Sequence, residues 1–365
     1  MTSFGSTIPT AVLTGFLGSG KTTLLNALLR GGALRDAAII VNEFGEISID
    51  HALIETVRDG IALLNAGCLC CSLRTDLEQT LRDLFMKRLR GLLPEFRSVV
   101  IETSGLADPG PVLQALLSRS VREHQYNLAS VVTTVDAVNG ARSLALRPEA
   151  GRQVAVADRL VLTKIDLCEA GAVADLKSRL AAINPFAPIL LGGKERIDAQ
   201  AVLGDTFLSG GCDVSFVERW AHAMDRADRL SSALDHGIGA SSGDPGHPEA
   251  GHRHELGRHD DRVHAFGYVI KTPLDWDELI GCIKAITERH GDQVLRIKAL
   301  LDITGIEGPV VLHGVHRTLH PPDILTAWPG AQRDSRIVFI VHDMDRSVID
   351  SALQPLPQFA REPIA

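Results

Sequence analysis

The densest chemistry in the sequence lies between Ile8 and Thr23. There Gly15, Gly18, Ser19, Gly20, Lys21 and Thr22 complete a G-x-x-x-x-G-K-[ST] pattern. Glycines at these spacings let the backbone curl with its N–H groups turned inward, free of side chains that would obstruct phosphate oxygens. Lys21 is expected to reach the β- and γ-phosphates and the Thr22 hydroxyl to bind Mg²⁺, with Thr23 in reach of the α-phosphate. The apolar run Ala11 to Thr14 precedes the motif and an amphipathic run from Thr23 to Arg30 follows it. The motif therefore predicts a buried strand, a loop and a helix whose positive end faces the phosphates.

Three further clusters carry chemistry. Asn42, Glu43, Glu46 and Asp50 place four oxygen ligands within nine residues, just after the β-like run Ala37 to Val41. In a nucleotide hydrolase this is the place of a switch loop that reaches Mg²⁺ and the γ-phosphate; the alternative is a solvated acidic loop. Cys68, Cys70 and Cys71 crowd into Gly67–Ser72, between the run Ile61 to Ala66 and an amphipathic helix predicted from Leu73 to Arg90. A helix N-terminus favours thiolates, and thiolates are the soft ligands Zn²⁺ prefers. Three thiols supply three corners of a tetrahedron and leave one open, which suits exchange. A redox pair and inert buried thiols are the competing readings. Glu102 ends the strand-like run Phe96 to Ile101, where P-loop enzymes place a second Mg²⁺-directed carboxylate. Gly105 then offers a backbone N–H to the γ-phosphate, and Pro109 and Pro111 open a helix over Val112 to Ser118.

Thr163-Lys164-Ile165-Asp166 follows the strand Arg159 to Leu162 and resembles the guanine-reading N/T-K-x-D motif. The Asp166 carboxylate can accept from both N1–H and the 2-amino group of guanine, a pair adenine lacks. Lys164 would lay its stem along the base or ribose. Thr163 has no amide, so one base contact is weaker or comes from a neighbour.

These motifs need elements to hold them, and the strands Ala37 to Val41, Val131 to Asp136 and Asn184 to Leu190 complete an α/β pattern with a mostly parallel sheet. Regularity fades after about residue 210. The stretch from His236 to His264 holds six of the 14 histidines among Gly, Pro, Ser and Asp, and reads as a linker that either captures metal weakly or only solubilises. Strand and helix patterns return after it, ending in the strand Arg336 to Val341 and the helix Ser347 to Leu353. The predicted division is 1–210 for the nucleotide domain, 211–262 for the linker and 263–355 for a small α+β domain. His313 and His316 in the last part are ligand candidates, with a structural role as the more ordinary reading.

With 365 residues the chain is long enough for two cores. A net charge of −8 argues against a nucleic-acid surface. No run spans a bilayer and no leader pattern opens the chain, so a cytoplasmic protein is expected.

Taken together, GFLGSGKTT, VNEFGEISID, GCLCCS, IETSGLADP and TKID, in this order, resemble the CobW family of metal-handling GTPases, in its YjiA-like branch. The resemblance covers nearly the whole chain, including Arg296-Ile297-Lys298 and His313-Gly314-Val315 near the C-terminus. It implies a SIMIBI-type P-loop GTPase, slow in hydrolysis, that serves a client metalloprotein as metallochaperone or activator, as monomer or homodimer. It implies that Cys68, Cys70 and Cys71, with Glu43 and Glu46, hold Zn²⁺, or Co²⁺ or another transition metal. Lys21, Asp50, Glu102 and Gly105 are then the residues of hydrolysis. Two alternatives are a P-loop kinase with structural cysteines and a thiol redox sensor coupled to a GTPase.

Overall fold

The structure is a computed structural model that describes residues 7–41, 62–65, 73–192, 198–204, 262–328 and 333–356. The N-terminal half is one sheet of seven parallel strands. In chain order these are β1 (Ile8–Thr14), β2 (Ala37–Val41), β3 (Ala62–Asn65), β4 (Ser98–Glu102), β5 (Tyr126–Asp136), β6 (Arg159–Thr163) and β7 (Ile189–Leu191). Their order across the sheet is β3-β2-β4-β1-β5-β6-β7. All seven residues of β1 are buried, and β2, β4 and β6 are nearly continuous apolar runs. Such strands have no solvent face, so helices must cover both sides. The helices are α1 (Lys21–Arg30), α2 (Leu73–Leu89), α3 (Gly110–Leu117), α4 (Arg119–Glu123), α5 (Gly140–Leu146), α6 (Pro148–Ala155), α7 (Ala170–Ile183) and α8 (Ala199–Leu203). Leu24, Leu25 and Leu28 of α1 pack with Val202 and Leu203 of α8 on one face. Residues of α2, α3, α6 and α7 form the core on the other.

The C-terminal domain is an antiparallel sheet built from β8 (Val263–Ile270), β9 (Val294–Leu301), β10 (Val310–Val315), β11 (Thr318–Leu319), β12 (Asp323–Ile324) and β13 (Ser335–His342). Helices α9 (Trp276–His290) and α10 (Arg346–Leu353) cover one face. Alternation along β9 assigns the faces. Ile297, Ala299 and Leu301 join the core under α9 and α10. Leu300, Val338 and Ile340 join the core of the N-terminal half. The two sheets therefore share a packed interface.

Charge crosses that interface. Arg296 and Lys298 of β9 reach Asp158, which stands just before β6, at 3.1 and 2.7 Å. All three are buried. The second Asp158 oxygen accepts from the Val131 N–H at 2.8 Å. Burial alone would raise the Asp158 carboxyl, but the Lys298 and Arg296 charges outweigh it and hold the group well below the usual carboxylate range.

Two details depart from the sequence reading. The run Asn184 to Leu190 is a strand only from Ile189. Asn184 instead donates to the carbonyls of Val154, Ala155 and Ala157 and so closes the end of α6. Pro185 and Pro188 have no N–H to give a ladder. Helices α5, α6 and α7 also occupy stretches for which the sequence pattern gave no element.

Candidate functional site

The motif of Gly15 to Thr22 stands at the C-terminal end of β1, in the middle of the sheet, as doubly wound sheets place their sites. Gly15 has φ +139°, and an added Cβ would lie 2.4 Å from the Thr134 carbonyl oxygen, so no other residue fits. Gly20 caps α1 in the left-handed region, with no side chain capping the helix. The first N–H groups of a ten-residue helix thus face the cleft. Lys21 is buried and its Nζ donates to the Gly15 carbonyl at 2.9 Å. The ammonium is folded back across the loop that a phosphate would enter.

Two neighbours brace the loop from below. The Ser19 and Thr134 hydroxyls lie 2.7 Å apart. The Thr163 hydroxyl donates to the Ser19 carbonyl at 2.7 Å. Thr163 therefore gives the loop a support that an asparagine read only for its base contact would not reveal. Thr103 donates to the Thr14 hydroxyl at 2.8 Å, which ties β4 to β1 where both strands end.

A cleft of about 260 Å³ opens over the loop, walled by Gly18, Lys21, Thr22, Val41, Glu102 and Lys164 among others. Thr22 Oγ1 donates to Glu102 Oε1 at 2.6 Å. A hydroxyl and a carboxylate at this separation fit within one hard-cation coordination sphere, so the donor set suits Mg²⁺. Thr23 is exposed on the first turn of α1, beside them.

Lys164 lines the far side. Lys164 adopts φ +55°, a strained conformation for a side-chain-bearing residue. Its Nζ meets Asp136 Oδ2 at 2.7 Å, and the Asn139 amide donates to the same oxygen at 3.1 Å. Burial raises the Asp136 carboxyl, yet these bonds and one from the Val138 N–H leave it below its ordinary value. Asp136 and Asn139 were not singled out in the sequence, although an acid at the end of an apolar strand is the same signal that marked Glu102. Asp166 lies exposed in the short 3-10 turn Ile165–Leu167.

Gly105 sits directly against the phosphate loop. A Cβ there would lie 2.7 Å from the Leu17 backbone nitrogen.

The acidic loop and the thiol turn lie outside the described residues, and with them Asn42, Glu43, Glu46, Asp50, Cys68, Cys70 and Cys71, as does most of the linker. The strands that lead to them are described. Asn65 of β3 pairs with Val41 of β2, and Val41 pairs with Glu102. Both segments thus leave the sheet edge that carries Glu102. At ~4.8 Å per strand, Asn65 stands only about 10 Å from it. Among the described residues no trio of Cys, His, Asp or Glu converges on a metal position. Cys168 and Cys282 are free thiols. Of the two candidate histidines, His313 lies in β10 and His316 in the turn that follows it. Burial, then the Arg296 and Lys298 charges, push His313 well below its ordinary pKa. His316 Nδ1 lies 3.1 Å from the Gly291 carbonyl, and its ring abuts Gly110.

Residues 9–191 match the CobW/HypB/UreG nucleotide-binding domain. Residues 263–356 match the cobalamin synthesis protein cobW C-terminal domain. The chain belongs to the CobW/HypB/UreG family. A zinc chaperone YjiA from Escherichia coli K12 is 31% identical over 96% of this chain and 98% of its own length. A zinc chaperone CobW from Sinorhizobium is 27% identical over 96% and 97%. A zinc-regulated GTPase metalloprotein activator 1 from Schizosaccharomyces pombe is 30% identical over 62% and 56%. The crystal structure of the Zn(II)-bound YjiA GTPase superposes with a TM-score of 0.66 at 28% identity, covering 96% of this chain and 99% of that one. No described helix of this CobW family member is long and apolar enough to cross a membrane.

Proposed function

We propose that this chain is a GTP-hydrolysing metallochaperone or metalloenzyme activator. It binds a transition metal, Zn²⁺ first among them, through Cys68, Cys70 and Cys71, and passes it to a client metalloprotein in the cytoplasm under nucleotide control. Residues 1–210 carry the nucleotide, 263–355 form the C-terminal domain and 211–262 join them. The observation that carries the reading is the shared sheet edge: Asn65, which leads to the thiols, is level with Val41 and Glu102. The names of the zinc-handling relatives support the choice of metal.

In this reading the loop from Gly15 to Thr23 cradles the phosphates, Lys21 swings from the Gly15 carbonyl to the β- and γ-oxygens, and Asp166 selects guanine. Thr22 and Glu102 would hold Mg²⁺, which when bound neutralises charge between the β- and γ-phosphates. Gly105 offers its N–H to the γ-phosphate. Asp50, with Glu43 and Glu46, follows β2 in the chain, and β2 ends beside Glu102, so a γ-phosphate that ordered this segment would also move carboxylates relative to the thiols. A tenfold change in metal affinity needs a difference of only about 1.4 kcal/mol, within reach of one lost ligand. The test is a set of Zn²⁺ titrations of the nucleotide-free, GDP-bound and GTP-analogue-bound chain, beside GTP and ATP turnover with and without Zn²⁺. Different dissociation constants and GTP preference are expected. A constant that ignores the nucleotide removes the coupling, and ATP preference removes the guanine assignment.

A further inference from the structure

Gly105 has a problem of its own. Its lack of a side chain lets the turn press onto Leu17, but glycine also leaves the peptide on either side of it free to rotate. A turn that must present one N–H to one oxygen needs something else to fix it. That something is on α6. Gln153 is 1% exposed. Its Nε2 donates to the Gly105 carbonyl at 3.2 Å and to the Ala107 carbonyl at 3.1 Å. Two acceptors on one side settle which end of the amide points there, since the oxygen would repel both. The backbone of Gln153 is anchored in turn, because the Thr133 hydroxyl of β5 donates to its carbonyl at 2.7 Å. Next to it, Arg152 Nη1 pairs with Asp108 Oδ2 at 2.9 Å, and Asp108 Oδ1 accepts from the Gly110 N–H at 2.8 Å. Two successive residues of α6 thus hold the turn at its start and at its end.

We infer that Gln153 is a positioning residue for the γ-phosphate-facing turn: its amide fixes the peptides that follow Gly105 and Ala107, and so keeps Gly105 seated against Leu17 of the phosphate loop. The inference deepens the hydrolysis reading and rests on it. Gln153 is buried and does not line the cleft over the loop, so GDP binding is not expected to depend on it. Binding of the γ-phosphate and its hydrolysis are.

The experiment compares the full chain with Gln153→Leu, which keeps most of the volume, and Gln153→Glu, which keeps the length but offers no N–H donors. Affinities for GDP and for a non-hydrolysable GTP analogue are measured side by side, together with kcat and KM for GTP. Two buried hydrogen bonds are lost, so the analogue is expected to bind about 10- to 100-fold more weakly. The kcat is expected to fall by a similar factor, while GDP affinity stays within about twofold. Equal losses for GDP and analogue overturn the inference, because a role in folding alone lowers both, and unchanged analogue binding overturns it as well. If the unaltered chain neither binds nor hydrolyses GTP, the hydrolysis reading has failed. If it does both and the variants match it, only the role of Gln153 has failed.

Discussion

Asp158 is where a single substitution acts on both halves of the chain. Its carboxylate is the acceptor for two buried cations from the C-terminal domain and for one strand N–H of the N-terminal half. Removing one partner of a buried ion pair costs about 3–5 kcal/mol, because the remaining charge stays desolvated. Asp158→Ala also strands the Val131 N–H, at about 1–3 kcal/mol. The sum, about 4–8 kcal/mol, is on the scale of the whole stability of a domain, about 5–15 kcal/mol. Asp158→Ala is therefore expected to be largely unfolded at 25 °C. Asp158→Asn keeps an acceptor for Val131 and should lose about 3–5 kcal/mol. Adding Lys298→Met removes one stranded cation and should restore part of the loss, a non-additivity that only touching groups show.

Urea unfolding followed by tryptophan fluorescence reads this well. Trp276 begins α9 and Trp328 packs against the shared core. The pH dependence has a definite sign. The Asp158 carboxyl is held below its ordinary value of 3.8 despite burial, by Lys298 and Arg296. The unfolded chain therefore takes up this proton first as pH falls. The stabilisation is fully present above about pH 4 and fades below it, so the acid limb of the stability curve should be flatter in Asp158→Asn. An Asp158→Asn chain within about 0.5 kcal/mol of the parent, or a double variant whose losses simply add, would refute the reasoning.

Lys21→Ala should lower GTP turnover by about 100-fold or more, the scale on which loss of one charge-stabilising donor acts; phosphate release checks it. Asp166→Asn replaces two acceptors by one acceptor and one donor. That face suits xanthine better than guanine, so competition titrations should show GTP binding at least about 100-fold weaker and XTP binding stronger. Replacing Cys68, Cys70 and Cys71 together by Ser should weaken Zn²⁺ binding more than about 100-fold, since changes to residues that merely support ligands already cost about 10- to 100-fold. Chelator competition reads it, and Cys168, Cys212 and Cys282 remain as unaltered thiols.

What could be read from the sequence was what is local. Gly15, Gly18 and Gly20 announce a phosphate loop because the backbone itself demands them, and Glu102 announces its place because an acid ends an apolar run. Thr163 shows the boundary. Its type was legible as a weakened base contact, whereas its hydroxyl is used against Ser19, 144 positions earlier in the chain. Asp158 reads as a loop acid until Arg296 and Lys298 arrive from a strand more than a hundred residues away. Gln153 carries no sequence signal, because both of its acceptors are main-chain carbonyls and a carbonyl has no residue type. The run Asn184 to Leu190 failed as a strand for a related reason: the Asn184 side chain satisfies the last carbonyls of α6, and proteins choose such partners only in three dimensions.

The positions of Gln153 and Asp158 also bear on how far a nucleotide signal can travel. Arg152 and Gln153 grip the turn after Glu102, and Asp158, five residues past Gln153, grips β9. Helix α6 itself lies against β8 and β9. From the other side the His316 ring abuts Gly110, where the turn passes into α3. The turn is therefore enclosed by elements that the C-terminal domain touches at both ends. A displacement of Gly105 on gain or loss of the γ-phosphate must either break the Gln153 pair or carry α6 with it. Breaking two buried hydrogen bonds costs about 1–3 kcal/mol, while separating Asp158 from its cations costs more. The cheaper event is the local one, and its size matches the usual coupling free energy between two sites, about 1–3 kcal/mol. In the proposed GTP cycle the ion pairs are therefore expected to hold the two halves together, and the Gln153 amide to be the contact that gives way.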